Sequence, residues 1–486
     1  MQERIELEQG FWFLVVVALL LVLCLWGNGD IAFLSVNEAR RAVTVREMYQ
    51  ANDWLLPHMN GDLYLAKPPL FYWLALIPVY LAGAVSEWAV RLPSALLALA
   101  TLAGTFYWGR GIGGRGLGLF ACIFLAANAG FSQFARRAEI EMALTAFCFL
   151  SLLSAYVYLF IDGRRRWSLL SYVLLGCALL TKGPVSLLLV TLPVLVFALI
   201  QRQERARSYL CDIPGWLIAL ALGATWYAAV TLQEGMDVWK AIFQQDIVEK
   251  VKGSGGSDPW YAYLLYLAGD FFPFWLLLLA GPRQLWRQIR QSPQLTLALC
   301  AILVPLIVFS LFSDKHAKYL LPTYPCVALL LAYHWMQVFA RQGGWRRKAM
   351  QWGPLLLLFG FVGFYTVLER TVFAYRYQAL PEIARIAAAH PALPLYSLDV
   401  PDMRLVYYAG RPVTRLSADS ATSTAAGLLF VPGKLPAALQ ASAHCVSDTV
   451  PKYLSRRKEL QVVLLGGACG SGGDTAKQPI AGNTHG

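Results

Sequence analysis

The sequence predicts an all-α polytopic membrane protein that crosses a bilayer about eleven times and carries a small extracytoplasmic α/β domain at its C-terminal end. Two observations carry that reading. Of 486 residues 57% are apolar and only 14% are charged, whereas a soluble globule keeps roughly a quarter of its residues charged. Segments such as Phe11–Trp26, Leu117–Phe134 and Trp352–Leu368 run almost without interruption in apolar residues, at or near the ~20 that a bilayer requires. The 25 Phe, 23 Tyr and 16 Trp suit the aromatic belts of a membrane interface.

The net charge of +12 does not point to nucleic acid. No basic stripe interleaved with stacking aromatics lies on any polar stretch. The Lys and Arg residues gather instead in short loops, at Arg110/Arg115, Arg164–Arg166, Arg202/Arg205/Arg207, Arg283/Arg287/Arg290 and Arg341/Arg346/Arg347/Lys348. The positive-inside rule puts all five clusters in the cytoplasm, so consecutive clusters are separated by an even number of crossings. Leu169–Ile200 must then cross twice, with Lys182 at the outer turn. Pro69–Val85, about seventeen residues, would break the parity as a span and reads as a juxtamembrane or re-entrant helix. The spans fall near 11–27, 93–109, 116–134, 142–160, 167–180, 185–200, 213–231, 260–280, 294–312, 319–340 and 353–369, with eleven to thirteen as the range. An odd count leaves the N-terminus in the cytoplasm and the C-terminal domain outside. Gly27-Asn28-Gly29-Asp30 follows the first run where a cleavage site would stand, so that run reads as a retained anchor.

Three domains follow: a transmembrane domain over 1–370 with a first outer loop at 28–92, an α/β domain over 371–469, and a disordered tail over 470–486. In the second of these, Leu393–Leu398, Leu428–Val431 and Leu460–Leu465 read as strands, and Pro401–Ala409 and Pro436–Ser442 have helical character. A second outer loop, Gln233–Pro259, holds Gln244-Gln245-Asp246 and the flexible Gly253–Ser257. Seven of nine cysteines sit in or beside apolar runs as small hydrophobes. Cys445 and Cys469 form a possible extracytoplasmic disulfide, which the sequence leaves open. No metal-ligand spacing of cysteines occurs.

Ionisable residues collect at the outer ends of the spans. They are Asn37-Glu38-Ala39-Arg40-Arg41 and Tyr64-Leu65-Ala66-Lys67-Pro68-Pro69 in the first loop, Arg136–Glu141, Lys182, and Lys315-His316-Ala317-Lys318-Tyr319. Singly each reads as a snorkelling interfacial residue. Together they can converge on one chamber, where cations with a few carboxylates suit a lipid phosphate and a reaction with one general base.

The ordered set Asn37-Glu38-Ala39-Arg40, Asp53-Trp54, Asn60-Gly61, Tyr64, Lys67-Pro68-Pro69-Leu70, Tyr72-Trp73 and Arg91–Leu96 resembles the bacterial lipid A aminoarabinose transferases. More broadly it is similar to the polyprenyl-phosphate-sugar glycosyltransferases related to protein O-mannosyltransferases. Leu180–Pro184 and Lys315-(x)3-Tyr319-(x)-Leu321-Pro322 are similar to later signatures of the same family. The resemblance implies a multi-helix membrane glycosyltransferase fold of the C type, with its active site between the first outer loop and the membrane. It implies that Lys67 and Arg40 hold the lipid phosphate, that Tyr64 and Tyr319 line the cavity, and that Glu38 and Glu141 match family carboxylates. Lys182 and Lys315 join the binding set. Three departures stand out: Asn37 where the family has an aspartate proposed as base, Ala66 where relatives have a metal-binding glutamate, and Arg41 where they have a tyrosine. An amide cannot accept the proton, so Glu38 or Glu141 would serve as base. No bound metal or cofactor is expected.

The function these readings imply is transfer of a sugar from an undecaprenyl-phosphate carrier to a lipid, glycan or protein acceptor at the outer face of a bacterial inner membrane, among membrane lipids. A lipid-linked sugar flippase and a non-catalytic lipid-sugar binding protein are the alternatives.

Overall fold

The computed structural model describes residues 2–240, 258–424, 426–440 and 445–466. The Gln244-Gln245-Asp246 and Gly253–Ser257 segments, Cys469 and the expected disordered tail lie outside the described residues. The chain divides into two units, one ending at Ala374 and one beginning at Tyr375.

The first unit is helical apart from a two-stranded hairpin, β1 (His58–Met59) and β2 (Asp62–Leu63). Among the described residues five helices are long and apolar enough to cross a membrane: Glu87–Ala126, Ile140–Ile161, Ile213–Glu234, Pro293–Ser310 and Gly344–Thr371. Three shorter apolar helices, Gly10–Leu25, Leu70–Ala82 and Val185–Gln201, accompany them. Side chains such as Leu199, Ile213, Leu217, Leu232 and Leu356 are exposed, as expected where lipid rather than water is the solvent.

In chain order the first helices are α1 (Gln2–Leu25), α2 (Val36–Ala51), α3 (Leu70–Ala82), α4 (Glu87–Ala126), α5 (Ala129–Ala135), α6 (Ile140–Tyr156, extended by a π turn over Val157–Ile161), α7 (Arg165–Lys182), α8 (Val185–Gln201), α9 (Glu204–Leu210) and α10 (Ile213–Glu234). α4 covers two of the expected spans, because its backbone leaves helical geometry at Gly113 and Gly114. The two halves then pack back on each other. A Cβ on Gly109 would sit 2.8 Å from the Gly118 Cα, and one on Gly118 would sit 2.6 Å from the Phe106 carbonyl. Small residues permit such close backbone approach between helices in lipid. α6 is buried almost along its whole length, so its N-terminal end is fixed within the bundle.

Two expected elements differ. The run over 116–134 is two helices, because the Asn128 side chain accepts the Phe131 N–H at 2.8 Å and starts α5 anew. The stretch over 260–280 is a helix at Ala262–Asp270 and a 3-10 helix at Phe274–Leu279, interrupted by Pro273, which has no N–H to donate. Leu169–Ile200 is two helices, α7 and α8, with Lys182 at the turn between them, as the parity of the basic loops requires. α3, at 13 residues, is roughly 20 Å long, shorter than the ~30 Å hydrocarbon core.

The second unit holds a five-stranded sheet in the order β4-β3-β5-β7-β6, made of β3 (Leu395–Ser397), β4 (Val413–Arg415), β5 (Gly427–Pro432), β6 (Cys445–Val450) and β7 (Leu460–Leu465). β3 runs parallel to both β4 and β5, with helices Met403–Ala409 and Ala418–Ser423 on the crossovers, while β5–β7 and β7–β6 are antiparallel. Leu429, Val431, Leu439, Val463 and Leu465 form its core.

Candidate active site

The first outer segment is built before it is functional. Ser35 caps α2, its Oγ accepting the Asn37 N–H at 3.2 Å. Glu47 accepts the Asn60 and Gly61 N–H groups at 2.9 and 3.0 Å, which pins the β1–β2 hairpin onto α2. Asp53 accepts the N–H groups of Leu55 and Leu56.

Arg91 reaches from α4 into this segment as a buried tie. It donates to Glu38 at 2.8 and 3.3 Å and to the carbonyls of Asn28, Ile31 and Ala32. The Ala138 N–H also donates to Glu38, at 2.9 Å. Glu38 is 1% exposed, and every partner it has holds two parts of the scaffold together. Beside this tie lies a cavity of about 30 Å³ lined in part by Asn28, Glu38, Arg91, Arg136 and Glu369, enough for about one water and too small for a sugar.

Several of the candidate groups meet at Glu141, in the first turn of α6. Its Oε1 lies 3.3 Å from the Lys182 Nζ and 3.3 Å from the Lys318 Nζ. Lys182 is the last residue of α7, and the chain turns there because Gly183 takes φ +76°, a region that costs a side chain about 1–2 kcal/mol. Lys318 and Tyr319 come from a 3-10 turn over Ala317–Thr323, and the Tyr319 ring lies 5.0 Å from the Lys182 Nζ. From α2, the Arg41 guanidinium donates to the Tyr72 hydroxyl at 2.5 Å and the Tyr64 hydroxyl at 3.5 Å and acts electrostatically on Glu141. Burial raises the pKa of the Tyr64 phenol, but Arg41, then Lys67 and Arg40, bring it below the ordinary tyrosine value. These cations therefore share one locality.

Of the predicted residues, Glu141, Lys182, Tyr319, Tyr64, Lys67 and Arg40 come together here. Arg40 is exposed and Lys67 half-buried. Asn37 stands near the start of α2, and its side chain makes no hydrogen bond among the described residues. Glu38 faces Arg91 instead. Lys315 is also held elsewhere: it is 4% exposed, and its Nζ donates to the carbonyls of Asp258 and Phe312 at 3.1 and 2.6 Å. Lys318, three residues on, supplies the cation that Lys315 was expected to provide. Lys315 precedes the 3-10 turn that carries Lys318, and its own N–H is held by the Asp258 carboxylate at 3.0 Å.

Three members stood in the sequence clusters and motifs without a role of their own: Lys318, Tyr72 and Glu139. Glu139 precedes α6, accepts a hydrogen bond from Ser35 Oγ at 3.0 Å, and is 3% exposed. Burial, followed by the neighbouring Glu141 and Glu38 carboxylates, pushes its pKa up to about 7. Its Glu-x-Glu spacing with Glu141 was visible, but its burial was not. Among the described residues no group of three or more His, Cys, Asp or Glu is placed to hold a metal ion.

Comparison with known proteins follows the same lines. The structure of ArnT from Cupriavidus metallidurans bound to undecaprenyl phosphate superposes with a TM-score of 0.77 over 95% of this chain and 99% of that one, at 20% identity. The fold is that of ArnT. An archaeal oligosaccharyltransferase from Archaeoglobus fulgidus is more distantly similar, with a TM-score of 0.52 over 85% of this chain and 65% of that one, at 10% identity. Residues 66–228 match the family described as dolichyl-phosphate-mannose-protein mannosyltransferase, a segment that includes Lys67, Tyr72, Glu139, Glu141 and Lys182. The undecaprenyl phosphate-alpha-4-amino-4-deoxy-L-arabinose arabinosyl transferase 1 of Pseudomonas fluorescens is 32% identical over 61% of this chain and 54% of its own length. The corresponding transferase of Pectobacterium carotovorum is 32% identical over 66% of this chain and 57% of its own. The chain thus spans a little over half the length of these relatives. The resemblance read from the motifs holds, and with it a mostly helical, membrane-embedded ArnT-like fold that ends in a small sheet region.

Proposed function

We propose that this protein is a membrane glycosyltransferase that moves a sugar from an undecaprenyl-phosphate carrier to an extracytoplasmic acceptor such as lipid A, another glycan or a protein. The observation that carries the reading is the meeting of Lys182, Lys318 and Arg41 around Glu141, within a fold shared with an undecaprenyl-phosphate-bound structure. A bacterial inner-membrane location with about eleven crossings, a cytoplasmic N-terminus and a periplasmic sheet domain fits the distribution of Lys and Arg in the loops.

In this reading an acceptor oxygen attacks the anomeric carbon from the side opposite the phosphate. The bond from that carbon to the phosphate oxygen breaks, and the electron pair leaves as undecaprenyl phosphate. Lys182, Lys318, Arg41, Lys67 and Arg40 stabilise the negative charge of the leaving phosphate, the role that preorganised cations fill best in a site shielded from water. Glu141 takes the proton of a hydroxyl acceptor. With an acceptor oxygen already ionised, it serves only to hold the two lysines in place. Glu38, committed to Arg91, positions the first loop and exchanges no proton. Asn37 favours one other reading, a lipid-sugar binding protein without turnover, because an amide cannot act as base.

The test is sugar transfer by the purified protein in detergent from undecaprenyl-phosphate-linked sugars, with Lys318→Ala and Glu141→Gln alongside. Loss of turnover in both with carrier binding retained supports the transferase. Carrier binding with no turnover in the wild type supports the binding protein, and neither activity removes both readings.

A further inference from the structure

We propose that the sugar handled by this site is acidic, bearing a carboxylate rather than the amino group named for the sugar of the relatives. The proposal rests on the transferase reading and narrows it to a substrate class.

The cations gathered around Glu141 outnumber the anions beside them. Lys182 and Lys318 each stand 3.3 Å from one carboxylate, Glu141. Arg41 is the third cation, 7% exposed, and its hydrogen bonds go to two phenols, Tyr72 and Tyr64. A buried guanidinium beside neutral oxygens is costly unless an anion completes its surroundings. A carrier phosphodiester brings one negative charge. Three cations set against Glu141 and that phosphate leave one positive charge unmatched, before Arg40 and Lys67 add their field around Tyr64.

An ammonium group on the sugar would enter this field as a further cation and would need a carboxylate of its own. The carboxylates of the first outer segment have other partners: Glu38 is held by Arg91, Glu47 by the Asn60 and Gly61 N–H groups, and Asp53 by the N–H groups of Leu55 and Leu56. Asp62 is exposed on β2. Glu139 is buried on Ser35, and with a pKa pushed up to about 7 it supplies less than a full negative charge near neutrality, beside Lys318. A sugar carboxylate, by contrast, matches the planar donor fork of Arg41.

The experiment measures thermal stabilisation of the full-length protein in detergent at pH 7.5 by undecaprenyl phosphate alone and by undecaprenyl-phosphate-linked hexuronic acid, neutral hexose and 4-amino-4-deoxy-arabinose. Half-saturation by the uronate conjugate at roughly tenfold lower concentration than the amino conjugate is expected, a typical difference for one charge-assisted contact. Arg41→Tyr should bring the two within about threefold, and Arg41→Lys, which keeps the charge, should preserve the order. An amino conjugate that binds as well as or better than the uronate overturns the proposal and leaves the transferase reading standing. Should undecaprenyl phosphate itself give no stabilisation, the transferase reading fails, and this inference with it. If Arg41→Tyr does not fold, the wild-type order alone decides.

Discussion

Glu38 receives the Arg91 guanidinium at 2.8 Å while the Ala138 N–H donates to the same oxygen at 2.9 Å. One carboxylate thereby joins α2, the start of α4 and the segment before α6. Among Asn37-Glu38-Ala39-Arg40 the one carboxylate is therefore a fastening, and the proposed chemistry rests on Glu141.

That assignment separates two variants. Arg91→Ala leaves Glu38 buried without its counter-charge and should destabilise the protein by about 3–5 kcal/mol, seen as a lower unfolding temperature in detergent. Glu38→Gln should lose stability as well, yet retain sugar transfer per folded molecule within about threefold, because the group has no part in proton transfer.

Glu141→Gln should lower transfer by about 10²–10⁴-fold if the acceptor is a hydroxyl, the usual range for loss of a general base. An acceptor that is already ionised should show a much smaller loss. Comparing a hydroxyl with a phosphate acceptor reads the role directly.

Lys318 and Lys315 make a matched pair. Lys318→Ala should lower turnover by about 10²–10³-fold, as for removal of one group that stabilises developing charge. Lys315→Ala removes a buried ammonium that joins the Asp258 and Phe312 carbonyls, and should lower the unfolding temperature with little change in turnover per folded molecule.

Glu139 sets a pH dependence whose sign follows from its raised pKa, about 7 against an ordinary 4.5. Between those values the folded protein holds a proton that the unfolded chain has released, so stability falls as pH rises through this window. The contribution is full below about 4.5 and lost above about 7. Unfolding temperature against pH should show this fall in the wild type and a flatter profile in Glu139→Gln. Identical slopes would remove Glu139 as the titrating group.

Gly118→Ala should destabilise the bundle by about 1–3 kcal/mol, the range for overpacking, because the new Cβ would meet the Phe106 carbonyl at 2.6 Å. Gly83, where a Cβ would meet nothing within 4 Å but φ is +69°, should cost about 1–2 kcal/mol as Ala, through backbone strain alone.

Much was legible in the sequence because lipid leaves the chain few options. Backbone groups without water must satisfy themselves within helices, so apolar runs predict helices, and most of the predicted spans correspond to helices in the structure. The Gly183 turn after Lys182 was legible for a similar reason, since basic loops on both sides required an intervening reversal.

Which charged residues face one another is a different matter, because pairing depends on helix rotation and on contacts between residues far apart in sequence. Glu38 and Arg91 are 53 positions apart, and Glu141 and Lys182 are 41. Lys315 and Lys318 differ by three positions and end in different surroundings. Sequence by itself determined a membrane-embedded bundle of helices and the kinship of its motifs. Only the tertiary structure decided that Glu38 is a strut, that Lys318 rather than Lys315 joins Glu141, and that Arg41 and Glu139 stand beside them. Burial and pairing set what a charged side chain does, and both are properties of the packed chain.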